Sequence, residues 1–184
     1  HPHLPEEAVG TDSFVRLSTM PTHNFRKIQG HLVEIEIQSS AIKGNLLQDP
    51  SSRTAAIYLP EGYDQTDRTY PLLLYLASYG GSGLKKTSWQ RFGESIPQRI
   101  ERLVREGSLQ PMVVVFPDCF TSLGGNQYVN SPVLGNWEDF LLQELIPQVE
   151  ETFRISRGPE HRAVIGYSSG GYGAFVQGLR HGNS

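Results

Sequence analysis

The stretch RAVIGYSSGGYGAF, residues 162–175, joins a short apolar run to a segment of small residues through the pattern Gly-x-Ser-x-Gly. An apolar run followed by this pattern predicts a tight strand-to-helix turn with Ser168 at its apex. Strand and helix approach closely in such a turn, so small residues are needed where Gly166 and Gly170 stand. The turn would expose the Ser168 hydroxyl, with the backbone amide of Ser169 directed at the same point. The pattern predicts a nucleophilic serine, and a chance match is the alternative.

A second backbone donor is expected from the loop LASYGGSG, residues 76–83, which follows another apolar run. The amide of Tyr79 is the best candidate if the two strands lie side by side, because the neighbouring glycines let the backbone turn closely past a substrate. A flexible turn or a phosphate loop are the alternatives. A phosphate loop ends in Gly-Lys-Ser or Gly-Lys-Thr, whereas this one continues Gly83-Leu84-Lys85.

Five apolar stretches predict strands. Val33, Ile35 and Ile37 alternate with polar residues, which indicates a half-buried strand, whereas LLLYLA and MVVVF do not alternate, which is typical of parallel strands covered on both faces. The predicted strands are 32–38, 54–60, 72–77, 112–117 and 163–166. The first two are expected to pair antiparallel or in a mixed sheet, and residues 1–30 are expected to form an irregular arm before a domain at 31–184.

Helices are predicted between the later strands, at 96–107, 136–153 and about 170–180. Gly107 is expected to end the first. Asn136 is expected to cap the second, Trp137 to lie in its core, and Pro147 to kink it or divide it in two. Strands that alternate with helices in this way predict an α/β fold with a mostly parallel sheet flanked by helices.

Composition excludes several classes of protein. The chain has 184 residues, 38% hydrophobic and 19% charged, with net charge −3 and a single cysteine. The sequence has no basic cluster, so nucleic acid is not an expected partner. Its apolar runs are far shorter than the roughly 18 residues that a membrane-spanning helix needs. No metal-ligand cluster or cofactor motif is visible, and oligomeric state is undetermined. The compartment stays open: the cytoplasm is favoured because no leader is visible, and a start without Met leaves secretion or the periplasm open.

Other polar residues are candidates for lining a substrate pocket. Asp118 follows a predicted parallel strand, where ligand sites gather, and a loop-capping role is its alternative. Gln127, Tyr128 and Asn130 lie in a long loop that could line the pocket. Cys119 has no strand-to-helix turn of its own and is expected to be a small buried residue.

The six histidines do not offer an evident base. Those at 1, 3, 23 and 31 lie in or beside the arm and are expected to be solvated, with an arm that reaches over the serine as the alternative. His161 precedes the strand at the end opposite Ser168, and His181 is separated from the serine by a whole helix.

These motifs together resemble the esterase D-like branch of the α/β-hydrolases, which includes S-formylglutathione hydrolases and feruloyl, acetylxylan and enterochelin esterases as well as the mycolyltransferase antigens. The resemblance covers roughly residues 44–180 in family order. It rests on the segments YLPEGYD, YPLLLYLASYGGSG, VVVFPDCFTSLGGNQYVNS, NWEDFLLQELIPQVEETF and IGYSSGGYGAF. The chain departs from the family pattern at Ala77-Ser78, where relatives usually carry glycine before the oxyanion residue.

The resemblance implies that Ser168 is the nucleophile, that the amides of Tyr79 and Ser169 form the oxyanion hole, and that the substrate is a small-molecule or carbohydrate-linked ester. In this family the acid and histidine follow the nucleophile, so both are expected beyond Ser184, and the 184-residue chain alone is expected to be inactive. It would be the N-terminal portion of an α/β-hydrolase, with strand 162–166 as an open sheet edge. The alternatives are an acyltransferase on the same scaffold and a non-catalytic binding module.

Overall fold

The fold is built on a mixed β-sheet. The structure is a computed structural model that describes residues 27–90 and 93–183. The strands in chain order are β1 (His31–Gln38), β2 (Ser52–Leu59), β3 (Leu72–Leu76), β4 (Val113–Pro117), β5 (Asn130–Ser131), β6 (Gly135–Asn136) and β7 (Arg162–Gly166). The five longer strands form one sheet in the order β1-β2-β4-β3-β7, and β5 pairs with β6 in a small hairpin. All five predicted strands are confirmed.

The outer part of the sheet is antiparallel and its inner part is parallel. β2 pairs antiparallel with both β1 and β4, as expected for the opening strands. β3 pairs parallel with β4 on one side and with β7 on the other. Three consecutive parallel strands therefore end at the same edge of the sheet, which is where α/β proteins place their sites.

The apolar runs are buried on both faces of the sheet. On one face, Leu72, Leu74 and Leu76 belong to a large core cluster that includes Trp137, which is fully buried as predicted. On the other face, Leu73 packs in a second cluster with residues of β4 and the helix that precedes it. Burial on both faces explains why these strands lack the alternation seen in β1.

The described residues form five α-helical segments: α1 (Gly83–Thr87), α2 (Ile96–Arg105), α3 (Trp137–Asp139), α4 (Ile146–Thr152) and α5 (Ser169–His181). Ser95 and Gln98 form a capping box at the start of α2. Gly107 follows that helix with φ 74°, a conformation that favours glycine, so its predicted role at the helix end is confirmed. The predicted last helix, about 170–180, is confirmed as α5.

The predicted helix 136–153 is confirmed in extent but differs in detail. A π-helical stretch, Phe140–Leu145, separates α3 from α4, and Pro147 lies in the first turn of α4. Proline has no N–H to donate, and the widened hydrogen bonding just before it accommodates that loss. The prediction that Asn136 caps the helix is wrong, because its side chain makes no capping hydrogen bond. Asn130 caps the helix instead, since its Oδ1 accepts a hydrogen bond from the Asp139 amide at 3.1 Å.

β7 lies at the edge of the sheet. Within residues 27–90 and 93–183 it pairs with β3 alone, which confirms the expected open edge for this part of the chain. Ile165 is 43% exposed although it belongs to a parallel strand. Most of the predicted arm, 1–30, lies outside the described residues. Its last residues rest on α2, where the Gly30 amide donates to the Glu101 carboxylate at 2.7 Å.

Candidate active site

Ser168 occupies the tight turn between β7 and α5. Its φ is 57° and its ψ −122°, a backbone conformation that costs a non-glycine residue on the order of 1–3 kcal/mol. A Cβ on Gly166 would lie 2.3 Å from the carbonyl carbon of Gly170, and one on Gly170 would lie 2.1 Å from the Leu76 oxygen. Neither position has room for a side chain. The strand-to-helix turn predicted from Gly-x-Ser-x-Gly is therefore present.

Ser168 is exposed, and the helix that follows it presents its N-terminus at the same place. The first amides of a helix have no acceptor within the helix, and they carry a partial positive charge. The backbone of Ser169 supplies the first of these amides, while its side chain is buried. A negatively charged oxygen formed beside Ser168 would thus meet a favourable electrostatic environment.

The loop that carries Tyr79 starts beside this turn. Leu76, the last residue of β3, is paired with Gly166, the last residue of β7, so the two chains leave the sheet at adjacent positions. Gly170 packs against the backbone oxygens of Leu76 and Ala77, where an added Cβ would lie 2.1 and 2.8 Å away. Tyr79 follows two residues after Ala77. That its amide is the second donor stays a prediction that this arrangement favours.

The side chain of Tyr79 points to a neighbouring loop. It is 54% exposed, its ring lies against Gly124, and its hydroxyl donates to the Leu123 carbonyl at 2.5 Å. Ala77-Ser78, the departure from the family pattern, is accommodated in a turn in which the Gly81 amide donates to the Ser78 carbonyl at 3.0 Å.

Asp118 and Cys119 follow β4 at the same edge of the sheet. The Asp118 carboxylate accepts from the Phe120 amide at 3.1 Å and lies 3.7 Å from Arg53, which are the contacts of a loop cap. A role in lining a pocket stays a prediction. Cys119 is buried and unpaired, and burial raises the pKa of its thiol well above the usual value. A protonated, buried thiol is a poor nucleophile, in agreement with the structural role expected for it.

The three candidates of the long loop have different surroundings. Gln127 is exposed, and Asn130 is exposed with its side chain engaged at the start of α3. Tyr128 is 4% exposed, and its hydroxyl donates to the Ala77 carbonyl at 2.6 Å. Gln127 is therefore available at the surface, the exposed Asn130 has its Oδ1 occupied, and Tyr128 is buried beside Ala77.

Sequence reasoning missed two residues that hold Tyr128. The Asn126 Oδ1 accepts from the Tyr128 amide at 2.5 Å, and the Gln177 Nε2 donates to the Tyr128 carbonyl at 2.6 Å. Gln177 lies on α5, 49 positions from its partner, so no local pattern indicates the contact. The only sequence signal was the polar character of the loop itself.

No histidine of the described residues is placed to activate Ser168. His31 lies beside Asp64 at 3.7 Å, and His161 lies beside Glu160 at 3.6 Å, before β7. His181 contacts Glu138 at 2.8 Å, at the far end of α5. The histidines at 1, 3 and 23 lie outside the described residues.

The described part of the chain lacks two kinds of feature. Residues 27–90 and 93–183 contain no group of three or more side chains, drawn from histidine, cysteine, aspartate or glutamate, that is arranged to hold a metal ion. Nor does any helix within residues 27–90 and 93–183 have the length and apolar character needed to cross a membrane.

The chain is similar in sequence to known esterases. Residues 49–184 match the family model described as "Putative esterase". A curated esterase of Mycobacterium tuberculosis is 32% identical over 132 residues, which are 68% of this chain and 25% of the relative. A Xylanibacter ruminicola protein named endo-1,4-beta-xylanase/feruloyl esterase is 30% identical over 123 residues, 65% of this chain and 16% of that protein. The chain thus spans a quarter or less of these relatives.

A solved structure of a ferulic acid esterase superposes with a TM-score of 0.68 at 24% sequence identity. The match covers 85% of this chain and 57% of that one. The predicted α/β-hydrolase fold is confirmed.

Proposed function

The chain belongs to the esterase family whose model it matches, and from that premise we propose that it carries the nucleophile of a serine carboxylesterase. The observation that carries the proposal is the turn at Ser168. An exposed serine held in a strained conformation, between two glycines that nothing larger could replace, is difficult to explain by stability alone.

The proposed reaction proceeds through an acyl-enzyme. The Ser168 Oγ attacks the ester carbonyl carbon and its proton passes to a general base. The carbonyl oxygen becomes negative and accepts hydrogen bonds from the amides of Ser169 and Tyr79. The tetrahedral intermediate collapses as the alcohol leaves with the proton. A water molecule then attacks the acyl-enzyme by the same route, which releases the acid and restores the serine.

The general base and its orienting carboxylate would come from outside residues 27–183. The described histidines support this by their placement in the fold. His31 begins β1 at the opposite side of the sheet, His161 precedes β7, and His181 ends α5, so each lies away from the Ser168 turn. If neither group comes from residues 1–184, the 184-residue chain alone is expected to be inactive or nearly so, since the loss of one member of a triad costs orders of magnitude in rate.

The substrate is proposed to be a small-molecule or carbohydrate-linked carboxylic ester. The feruloyl esterase relative supports an aromatic acyl group on a carbohydrate. Gln127 and Asn130 are the exposed polar candidates for contacting it, and Asp118 is a third whose carboxylate would first have to leave its loop contacts.

Labelling by a fluorophosphonate tests the nucleophile. The Ser168 Oγ would displace fluoride and form a covalent bond to phosphorus, which an activated serine does and an ordinary one does not. We expect the full-length protein to be labelled, and to hydrolyse para-nitrophenyl acetate and methyl ferulate. Ser168→Ala should abolish both labelling and hydrolysis, measured by mass spectrometry and by absorbance.

Ser108→Ala is the matched control, because Ser108 is an exposed serine before β4, at the opposite end of the sheet. It should leave labelling and hydrolysis unchanged. Labelling that persists in Ser168→Ala would rule out the assigned nucleophile, and a full-length protein without labelling or hydrolysis would favour a binding module.

A further inference from the structure

Three consecutive peptide groups lead through Tyr79, and each is held by a hydrogen bond. The Ala77 carbonyl accepts from the Tyr128 hydroxyl at 2.6 Å. The Ser78 carbonyl accepts from the Gly81 amide at 3.0 Å. The amide that follows Tyr79, that of Gly80, donates to the Gly124 carbonyl at 2.7 Å.

These bonds determine where the Tyr79 amide points. In a planar trans peptide the N–H is directed opposite to the C=O, so fixing one fixes the other. The bond to Ser78 sets the plane that contains the Tyr79 N–H, and the bonds to Ala77 and Gly80 set the planes on either side. Of these three bonds, the one from Gly81 is local, whereas Tyr128 and Gly124 belong to the loop after β4.

Tyr128 is itself firmly held. Its φ is 61°, which a non-glycine residue keeps only when its surroundings impose it. A Cβ on Gly173 would lie 2.7 Å from the Tyr128 ring, so the ring packs directly on the α5 backbone. Gln177 and Asn126 hold its carbonyl and its amide.

The phenol of Tyr128 remains a neutral donor. It is buried, and burial raises its pKa above the ordinary value. The hydroxyl is therefore protonated at every pH at which an ordinary phenol is, and over that range it can donate to Ala77.

We propose that Tyr128 is a positioning residue for the oxyanion hole: it joins α5, which follows Ser168, to the peptide groups that direct the Tyr79 amide. This rests on the proposed function. The residue does not touch substrate in this role. It keeps two donors from separate parts of the chain at a fixed separation, so that neither has to reorient when negative charge develops.

The test compares Tyr128→Phe with Tyr70→Phe in the full-length protein. Each removes one buried phenol oxygen, and Tyr70 lies before β3, where its hydroxyl contacts Thr66 at 3.3 Å. With para-nitrophenyl acetate, we expect Tyr128→Phe to lower kcat on the order of tenfold with little change in KM, by the same factor across the pH range. Its affinity for a trifluoromethyl ketone, which forms an oxyanion on the serine, should fall in parallel. Tyr70→Phe should change none of these quantities.

A kcat within twofold of wild type in Tyr128→Phe would overturn the inference. An equal loss of kcat in Tyr70→Phe would also overturn it, because the loss would then reflect a general effect on stability. Should Tyr128→Phe not fold, Gln177→Met removes the bond to the Tyr128 carbonyl and should lower kcat without raising KM; unchanged kcat there also overturns it. Ser168→Ala separates the two proposals. If it remains active the proposed function fails, and if it is inactive while Tyr128→Phe is normal, only the positioning role fails.

Discussion

At the scale of single residues, the sequence predicted what depends on neighbours and missed what depends on distant contacts. Gly166 and Gly170 could be predicted as necessary because a tight turn is a local event. Tyr128 could be named only as a polar-aromatic candidate, because its bond to Ala77 spans 51 positions and depends on how three strands are ordered. Spacing along a chain does not encode such a contact.

Gly170→Ala tests the close approach of α5 to β3. Its added Cβ would lie 2.1 Å from the Leu76 oxygen, so the helix or the strand must shift. We expect a loss of about 2–4 kcal/mol in the free energy of unfolding, measured by urea denaturation monitored by circular dichroism.

Gly178→Ala is the matched control on the same helix, since an added Cβ there has no atom within 4 Å among those described. It should be neutral or stabilise by up to about 1 kcal/mol, because alanine is the better helix former. Equal effects of the two substitutions would contradict the packing argument.

At the scale of elements, periodicity predicted which segments are strands or helices but not how one helix begins. The apolar positions of 136–153 fit a helix throughout, so the pattern could not indicate that its middle is π-helical. Asn136 precedes the first turn and has the expected residue type for a cap. The cap comes from Asn130 because the β5–β6 hairpin folds it back over the helix start, which is a tertiary contact.

Asn130→Ala should therefore destabilise the protein by about 1 kcal/mol, the usual contribution of a helix cap. Asn136→Ala, at the position that the sequence alone favours, should cost less than about 0.5 kcal/mol. Chemical denaturation of both variants measures the difference. A larger loss for the variant at 136 would show that the cap is assigned to the wrong residue.

At the scale of the whole molecule, the apolar runs predicted a parallel sheet. They did not indicate the order of its strands, which is known from the structure or from resemblance to the family. That order places β7 at the edge, with Ile165 43% exposed and Phe175 of α5 66% exposed. Open edges with exposed apolar side chains pair readily with other chains.

The 184-residue chain expressed alone should therefore self-associate, which light scattering and size-exclusion chromatography would detect. Ile165→Lys should reduce this association, because a charge at an edge opposes pairing. Leu46→Lys is the control: it removes another exposed apolar residue, 70% exposed, from a loop outside the sheet. Association that depends equally on both positions would exclude the edge as its cause.

The position of β7 also predicts that backbone amides differ across the sheet in their protection from hydrogen–deuterium exchange. β3 has a hydrogen-bonded neighbour on each side, whereas among the residues that the structure describes β7 has one only on the side of β3. Deuterium should therefore enter the β7 amides that face away from β3 long before it enters those of β3. The proposed nucleophile would stand at the end of a strand that opens more easily than its inner neighbour β3. A chain segment or partner that covers β7 would therefore govern how rigidly the serine is held.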